Sequence, residues 1–116
     1  MTAILPVLAP TAELSFNGLL VAHIENVTLS EGTYFATFQL RVSDTEPGLP
    51  SRIAAFVRFS LDWNERCAAR ERAHPSEFHQ FGDLIGPDRW RVTWPNESIA
   101  LSEAPIFSDG NQIGWR

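Results

Sequence analysis

The chain contains no lysine, one cysteine, and no apolar run near the length of a bilayer crossing. A lone cysteine, Cys67, cannot close an intrachain disulfide, so no disulfide framework holds the fold and no oxidising compartment is indicated. The longest apolar stretches fall far short of the roughly 20 residues that span a membrane, so no membrane partner is expected. The opening MTAILPVLAP lacks the positive charge of a secretory leader, which makes the cytoplasm the expected location. A glycine-rich phosphate loop, a dinucleotide fingerprint and a nucleophile turn are all missing, so no enzyme is expected and no cofactor is implied. Metal-ligand spacing is missing too. His74, Glu77, His79 and Asp83 lie near one another, but His74 and His79 are separated by Pro75 and do not form an i, i+4 pair, so no metal site is expected.

What is present describes a globular domain. The 116 residues suit one core, with residues 1–12 as an extended N-terminal arm broken by Pro6 and Pro10 and residues 13–116 as a single domain. Hydrophobic residues at 44% and charged residues at 20% exclude wholesale disorder, a collagen-like fibre and a coiled coil. The formal charge of -5 argues against indiscriminate attraction to nucleic acid. The cations are all arginine, however, and arginine's planar fork pairs with phosphate and stacks on aromatic rings.

Alternation is the strongest local signal. Leu14 and Phe16 alternate, Gly18 interrupts, and a stretch rich in Leu, Val, Ile and Thr runs to a turn at Ser30, Glu31 and Gly32. Beyond it Tyr34, Ala36, Phe38, Leu40 and Val42 share one face, and Phe35, Thr37, Gln39 and Arg41 share the other. The turn formers of residues 43–51 make a loop. The next run predicts a second clear strand with Ile53, Ala55, Val57, Phe59, Leu61 and Trp63 inward and Arg52, Ala54, Phe56, Arg58 and Ser60 outward. Asn64 then caps a helix through ERCAARERAH that Pro75 stops, with Cys67 buried on it and Glu65, Arg66, Arg70, Glu71 and Arg72 as a salt-bridged outer face. Ser76 and Glu77 begin a further helical turn carrying Phe78 and Phe81 and ending at Gly82. Residues 89–94 form another strand, with Trp90, Val92 and Trp94 inward, and Ile106, Phe107, Ile113 and Trp115 flank a turn in a closing hairpin. The predicted core is Tyr34, Phe38, Leu40, Val57, Phe59, Leu61, Trp90 and Val92. Trp115, so near the end of the chain, is either docked on the fold or offered to a partner.

The order strand, strand, long loop, strand, helix, strand resembles an OB-fold. The run LSFNGLLVAHIENVTLSEGTYFATFQLRV, with Gly18, Gly32, Phe38 and Leu40, resembles the first two strands of bacterial single-stranded DNA-binding proteins and of the primosomal replication protein of the same fold. IAAFVRF takes the place of that family's third strand and IGPDRWRVTW that of its fourth, so the likeness covers residues 13–95. The chain departs from the family at Arg52, Ile53 and Ala54, where a tryptophan usually stands, and it lacks the family's lysines and acidic, glycine-rich tail. The fold expected is mainly β, a small OB-like five-stranded barrel with one main helix. The alternative is an open antiparallel sheet packed on a helix.

The resemblance implies non-catalytic binding of single-stranded nucleic acid on a strand face. The residues expected to form that face are Phe35, Arg41, Arg52, Phe56, Arg58, Arg89 and Arg91, with bases stacked on the rings and phosphates held by the forks. A competing expectation is a small acidic protein-binding module, an inhibitor, adaptor or DNA mimic, that engages a basic protein by charge complementarity. Coverage of Phe35 and Phe56 by the N-terminal arm or by a second copy, the latter giving a homodimer, with the arginines paired to Glu or Asp, is a further expectation for the same face.

Overall fold

The computed structural model describes residues 7–86, 89–95, 97–108 and 110–115, with side chains described from Thr11 onward. Seven strands form one antiparallel sheet: β1 (Val7–Phe16), β2 (Leu19–Ser30), β3 (Thr33–Leu40), β4 (Trp90–Thr93), β5 (Ser98–Ala100), β6 (Ile106–Ser108) and β7 (Gln112–Trp115). Their spatial order is β5-β4-β1-β2-β3-β7-β6, with β5 at one edge and β6 at the other. Between β3 and β4 the chain forms helix α1 (Leu49–Ala68), a 3₁₀ turn (Pro75–Phe81) and a short helix α2 (Gly82–Ile85).

The meander β1-β2-β3 follows from its turns. Asn17 and Gly18 sit at φ 48° and 86°, and Glu31 and Gly32 at 51° and 79°, the paired positive angles of two-residue hairpins whose twist matches the strands. Asn26, at φ 58°, lies where the β2–β3 register shifts between Glu25 and Thr28. This bulge resets the phase, so that Ile24 and Val27 are both buried. Inward residues then line one face: Leu14, Phe16, Ile24, Phe38, Trp90, Val92, Phe107 and Ile113 are all buried there.

α1 covers that face. Gly48, at φ 77°, and Pro50 in the first turn start it, and the Ser51 hydroxyl donates to the Gly48 carbonyl at 3.0 Å. It buries Ile53, Ala54, Phe56 and Val57 at the i, i+3, i+4 spacing of a helix stripe. Phe56 is the hub, with ring centroids 5.3 Å from Phe81, 6.1 Å from Trp90 and 6.3 Å from Phe107. Asn64 ties the helix to the sheet edge, its amide donating to the Phe107 carbonyl at 2.7 Å and to the Ser60 carbonyl at 2.9 Å. Edge strands left open invite pairing with other chains, and this contact occupies an outward carbonyl of β6.

The architecture is mainly β, an open antiparallel sheet packed on a helix, the second of the two folds expected. The five-stranded OB-like barrel is not formed, because β5 and β6 lie at opposite ends of the order and the sheet does not close. The cause is residues 52–63, which are helical. Their alternation coincides with helix spacing at Ile53, Val57 and Leu61, four residues apart, and no glycine or proline interrupts the run from Ser51 to His74. A continuous helix of 20 residues is ordinary, whereas a strand averages about 5 to 6. Asn64 is therefore inside α1 and does not cap it, and the helix ends at Ala68, well before Pro75. Cys67 is exposed, on the solvent side of α1. Gly82 closes the preceding turn as expected, its backbone N–H donating to the His79 carbonyl, and it also opens α2. Residues 7–12 belong to β1, while residues 1–6 of the expected arm lie outside the described residues. Within the expected core, Phe38, Val57, Trp90 and Val92 are buried, and Tyr34, Leu40, Phe59 and Leu61 are partly buried against it. Trp115 is docked, at 4% exposure, with its ring stacked on Tyr34 at 5.6 Å and 6°.

Candidate binding surface

A sheet covered on one face has alternate residues left on the other. Here that face, left uncovered among the described residues, is built from Thr11, Glu13 and Ser15 of β1, His23 and Glu25 of β2, Phe35, Thr37 and Gln39 of β3, Arg91 and Thr93 of β4, and Gln112 of β7. The register places them in rows. Thr93, Glu13, His23 and Gln39 lie side by side across β4, β1, β2 and β3, and Thr11, Glu25, Thr37 and Gln112 form the next row across β1, β2, β3 and β7. A third row runs from Thr28 through Phe35 and Gly114 to Ile106. The face thus has a polar centre with two glutamates and an apolar end.

Three shallow depressions open on it. One of about 630 Å³ is centred on Glu13, His23, Glu25 and Thr93. Another, of about 500 Å³, lies among Phe35, Glu103, Ile106 and Gly114, and the third, of about 280 Å³, is on the other flank of Phe35 beside Thr28 and Gln112. Their carboxylate-bearing residues are Glu13, Glu25 and Glu103, and among the described residues no arginine lines any of them. A fourth depression, at the end of β3 beside α1, holds Glu25 together with Arg58.

The residues expected to form an arginine and aromatic face are dispersed. Phe56 is buried at 2% exposure, so no base can stack on it. Arg52 and Arg58 are on α1, which packs on the other face of the sheet, and each is ion-paired, although Arg58 also lines the fourth depression beside His23, Glu25 and Gln39. Arg52 pairs with Asp83, donates to the Gln80 carbonyl at 2.8 Å and lies 5.6 Å from the Phe81 ring centroid, while Arg58 pairs with Asp44. The hydrogen bond from Arg52 holds the Asp83 carboxyl below its ordinary range. Phe35 and Arg91 do share the uncovered face, at opposite corners: Arg91 is opposite Ser15 near the end of β1, and Phe35 is opposite Thr28, which faces Val7 at its start. Arg91 donates to the Ser98 hydroxyl at 2.9 Å. Arg41 and Arg89 are exposed just beyond β3 and just before β4.

Ile106, Gly114, Glu13, Glu25 and Glu103 were not singled out by sequence reasoning. A signal for Ile106 was there, since in an Ile106-Phe107 pair on a strand only one side chain can face the core. Of the group His74, Glu77, His79 and Asp83, both carboxylates are ion-paired, Asp83 with Arg52 and Glu77 with Arg66. Arg66 donates to Glu77 at 2.7 Å and to Asp62 at 3.1 Å, and Glu77 also accepts from the His74 backbone N–H at 2.8 Å. Among the described residues, no three His, Cys, Asp or Glu side chains are grouped so as to hold a metal ion. No described helix is long and apolar enough to cross a membrane. No family model matches this chain, and no curated protein or solved structure does so either.

Proposed function

We propose that this chain is a non-catalytic binding module that holds a basic protein partner against the uncovered face of its sheet. The observation that carries this reading is the charge of two of the depressions on that face, where Glu13 and Glu25 in one and Glu103 in the other stand without an arginine among the described lining residues. The net charge of -5 acts in the same direction, steering a cationic partner toward the domain. Hydroxyl and amide groups at Thr11, Thr37, Gln39, Thr93 and Gln112 surround the glutamates and supply hydrogen bonds at the rim of such an interface.

The test is a titration of isotope-labelled protein, followed by amide chemical shifts, with an arginine-rich peptide and separately with a single-stranded oligonucleotide. The peptide is expected to shift the amides of Glu13, His23 and Glu25, and the effect should weaken with added salt because rim charges are screened. Glu13→Gln combined with Glu25→Gln should weaken peptide binding. Shifts with the oligonucleotide alone, at Arg41, Arg89 and Arg91, would replace this reading with nucleic-acid binding. No shift with either ligand refutes it.

A further inference from the structure

We propose that the apolar end of this face is the anchor point, a trough between Phe35 and Ile106 that takes one bulky apolar side chain of the partner beside an arginine or lysine that pairs with Glu103. This inference rests on the reading of the face as a site for a basic protein. Its geometry comes from the register: Phe35 is opposite Gly114, and Gly114 is opposite Ile106. Two strand spacings separate the outer pair, about 9 to 10 Å, and the residue between them has no side chain. A Cβ on Gly114 would stand 3.7 and 3.8 Å from Phe35 ring atoms, so the ring leans over the glycine and gives the trough an apolar wall. Phe35 is 48% exposed and Ile106 64%, and both line the same depression of about 500 Å³ together with Glu103.

Single exposed apolar residues are common and need no explanation. Two large ones facing each other across a glycine, in a depression whose charged lining residue among those described is a glutamate, form the core-and-rim pattern of an interface anchor. The same charges argue against a second copy as the occupant. Packing this face on itself would bring carboxylates toward carboxylates between chains that each carry -5.

The experiment compares two capped pentapeptides of equal charge, Gly-Arg-Leu-Arg-Gly and Gly-Arg-Gly-Arg-Gly, titrated into isotope-labelled protein. The leucine peptide is expected to shift the amides of Phe35, Glu103, Ile106 and Gly114, and to bind at least about tenfold more tightly than the glycine peptide, as burial of one aliphatic side chain provides. Ile106→Ser and Phe35→Ser should each remove that advantage and leave glycine-peptide binding unchanged. Both positions are exposed, and equal unfolding midpoints for variant and parent verify that the fold is retained. Equal affinity for the two peptides overturns the anchor while leaving the acidic-face reading intact. Absence of binding by both overturns the two together. A dimer in sedimentation that Ile106→Asp dissociates also overturns the anchor, because the trough then belongs to a second copy.

Discussion

Replacing Phe56 with alanine separates the helical core position from a strand-face position more sharply than any other single change. On an exposed strand face the substitution would leave stability almost untouched, since surface changes away from special features stay within about 0.5 kcal/mol. In α1 the ring is 2% exposed and lies 5.3 to 6.4 Å from four other aromatic rings, Phe78, Phe81, Trp90 and Phe107. Removing a buried phenylalanine costs about 3 to 5 kcal/mol through lost transfer energy and the cavity left behind. The edge-to-face contacts put this site toward the upper end of that range, because each aromatic pair contributes about 0.5 to 1.5 kcal/mol beyond its area. Small domains have total stabilities of roughly 5 to 15 kcal/mol, so a third or more of the margin is at stake. With a urea m-value of about 2 kcal/mol/M, the midpoint should fall by about 2 M. Equilibrium urea unfolding followed by tryptophan fluorescence reads this directly, with Arg58→Ala as a surface control that should change little. A loss under about 1 kcal/mol for Phe56→Ala would refute the packing of α1 on the sheet.

Asn64→Ala should destabilise the domain by about 1 to 3 kcal/mol in the same assay, because it leaves the Phe107 carbonyl at the β6 edge without its donor. Hydrogen exchange should show the extra opening confined to β6 and β7. Acid should weaken the domain through Glu77, whose carboxyl is held below its ordinary range by the hydrogen bond from Arg66 and then by the His74 backbone N–H. The sign follows from proton binding: between the lowered folded value and the ordinary unfolded one, the unfolded chain holds more protons, so stability rises with pH. The contribution of Glu77 is complete above the ordinary glutamate value and disappears as pH falls through the folded one. The difference in urea midpoint between the parent and Glu77→Gln should therefore shrink on acidification through that window, and a difference independent of pH would show that the carboxylate charge contributes nothing.

The β2–β3 hairpin was legible because its signals are local: Glu31-Gly32 falls where alternation breaks, and Leu14, Phe16 and Phe38, like Trp90 and Val92 of β4, mark the inward face by period alone. The hairpin of β6 and β7 was legible for the same reason. The turn at Asn17-Gly18 shows in sequence only as an interruption at Gly18, so two strands are expected where the chain forms three. Residues 52–63 were not, because Ile53, Val57 and Leu61 satisfy both a period of two and a helix repeat. Choosing between them requires knowing what each side chain meets. The mistaken period sent Phe56 outward and grouped it with Arg52 and Arg58, and the expected arginine and aromatic face followed from that one step.

By itself, then, the sequence determined the mainly β character of the domain, the turns that lead into β3 and β7 and most of the inward residues of the strands, since alternation and turn geometry depend on neighbours along the chain. Tertiary structure alone decided that the 20-residue segment from Leu49 to Ala68 is a helix covering one face, and that β4 joins β1 while β7 joins β3. Those pairings connect segments far apart in sequence, and their stability comes from side chains that meet only after the loops between them close. The same pairings leave a face of the sheet uncovered and set Phe35, Gly114 and Ile106 side by side on it, a row that no local pattern in the chain encodes.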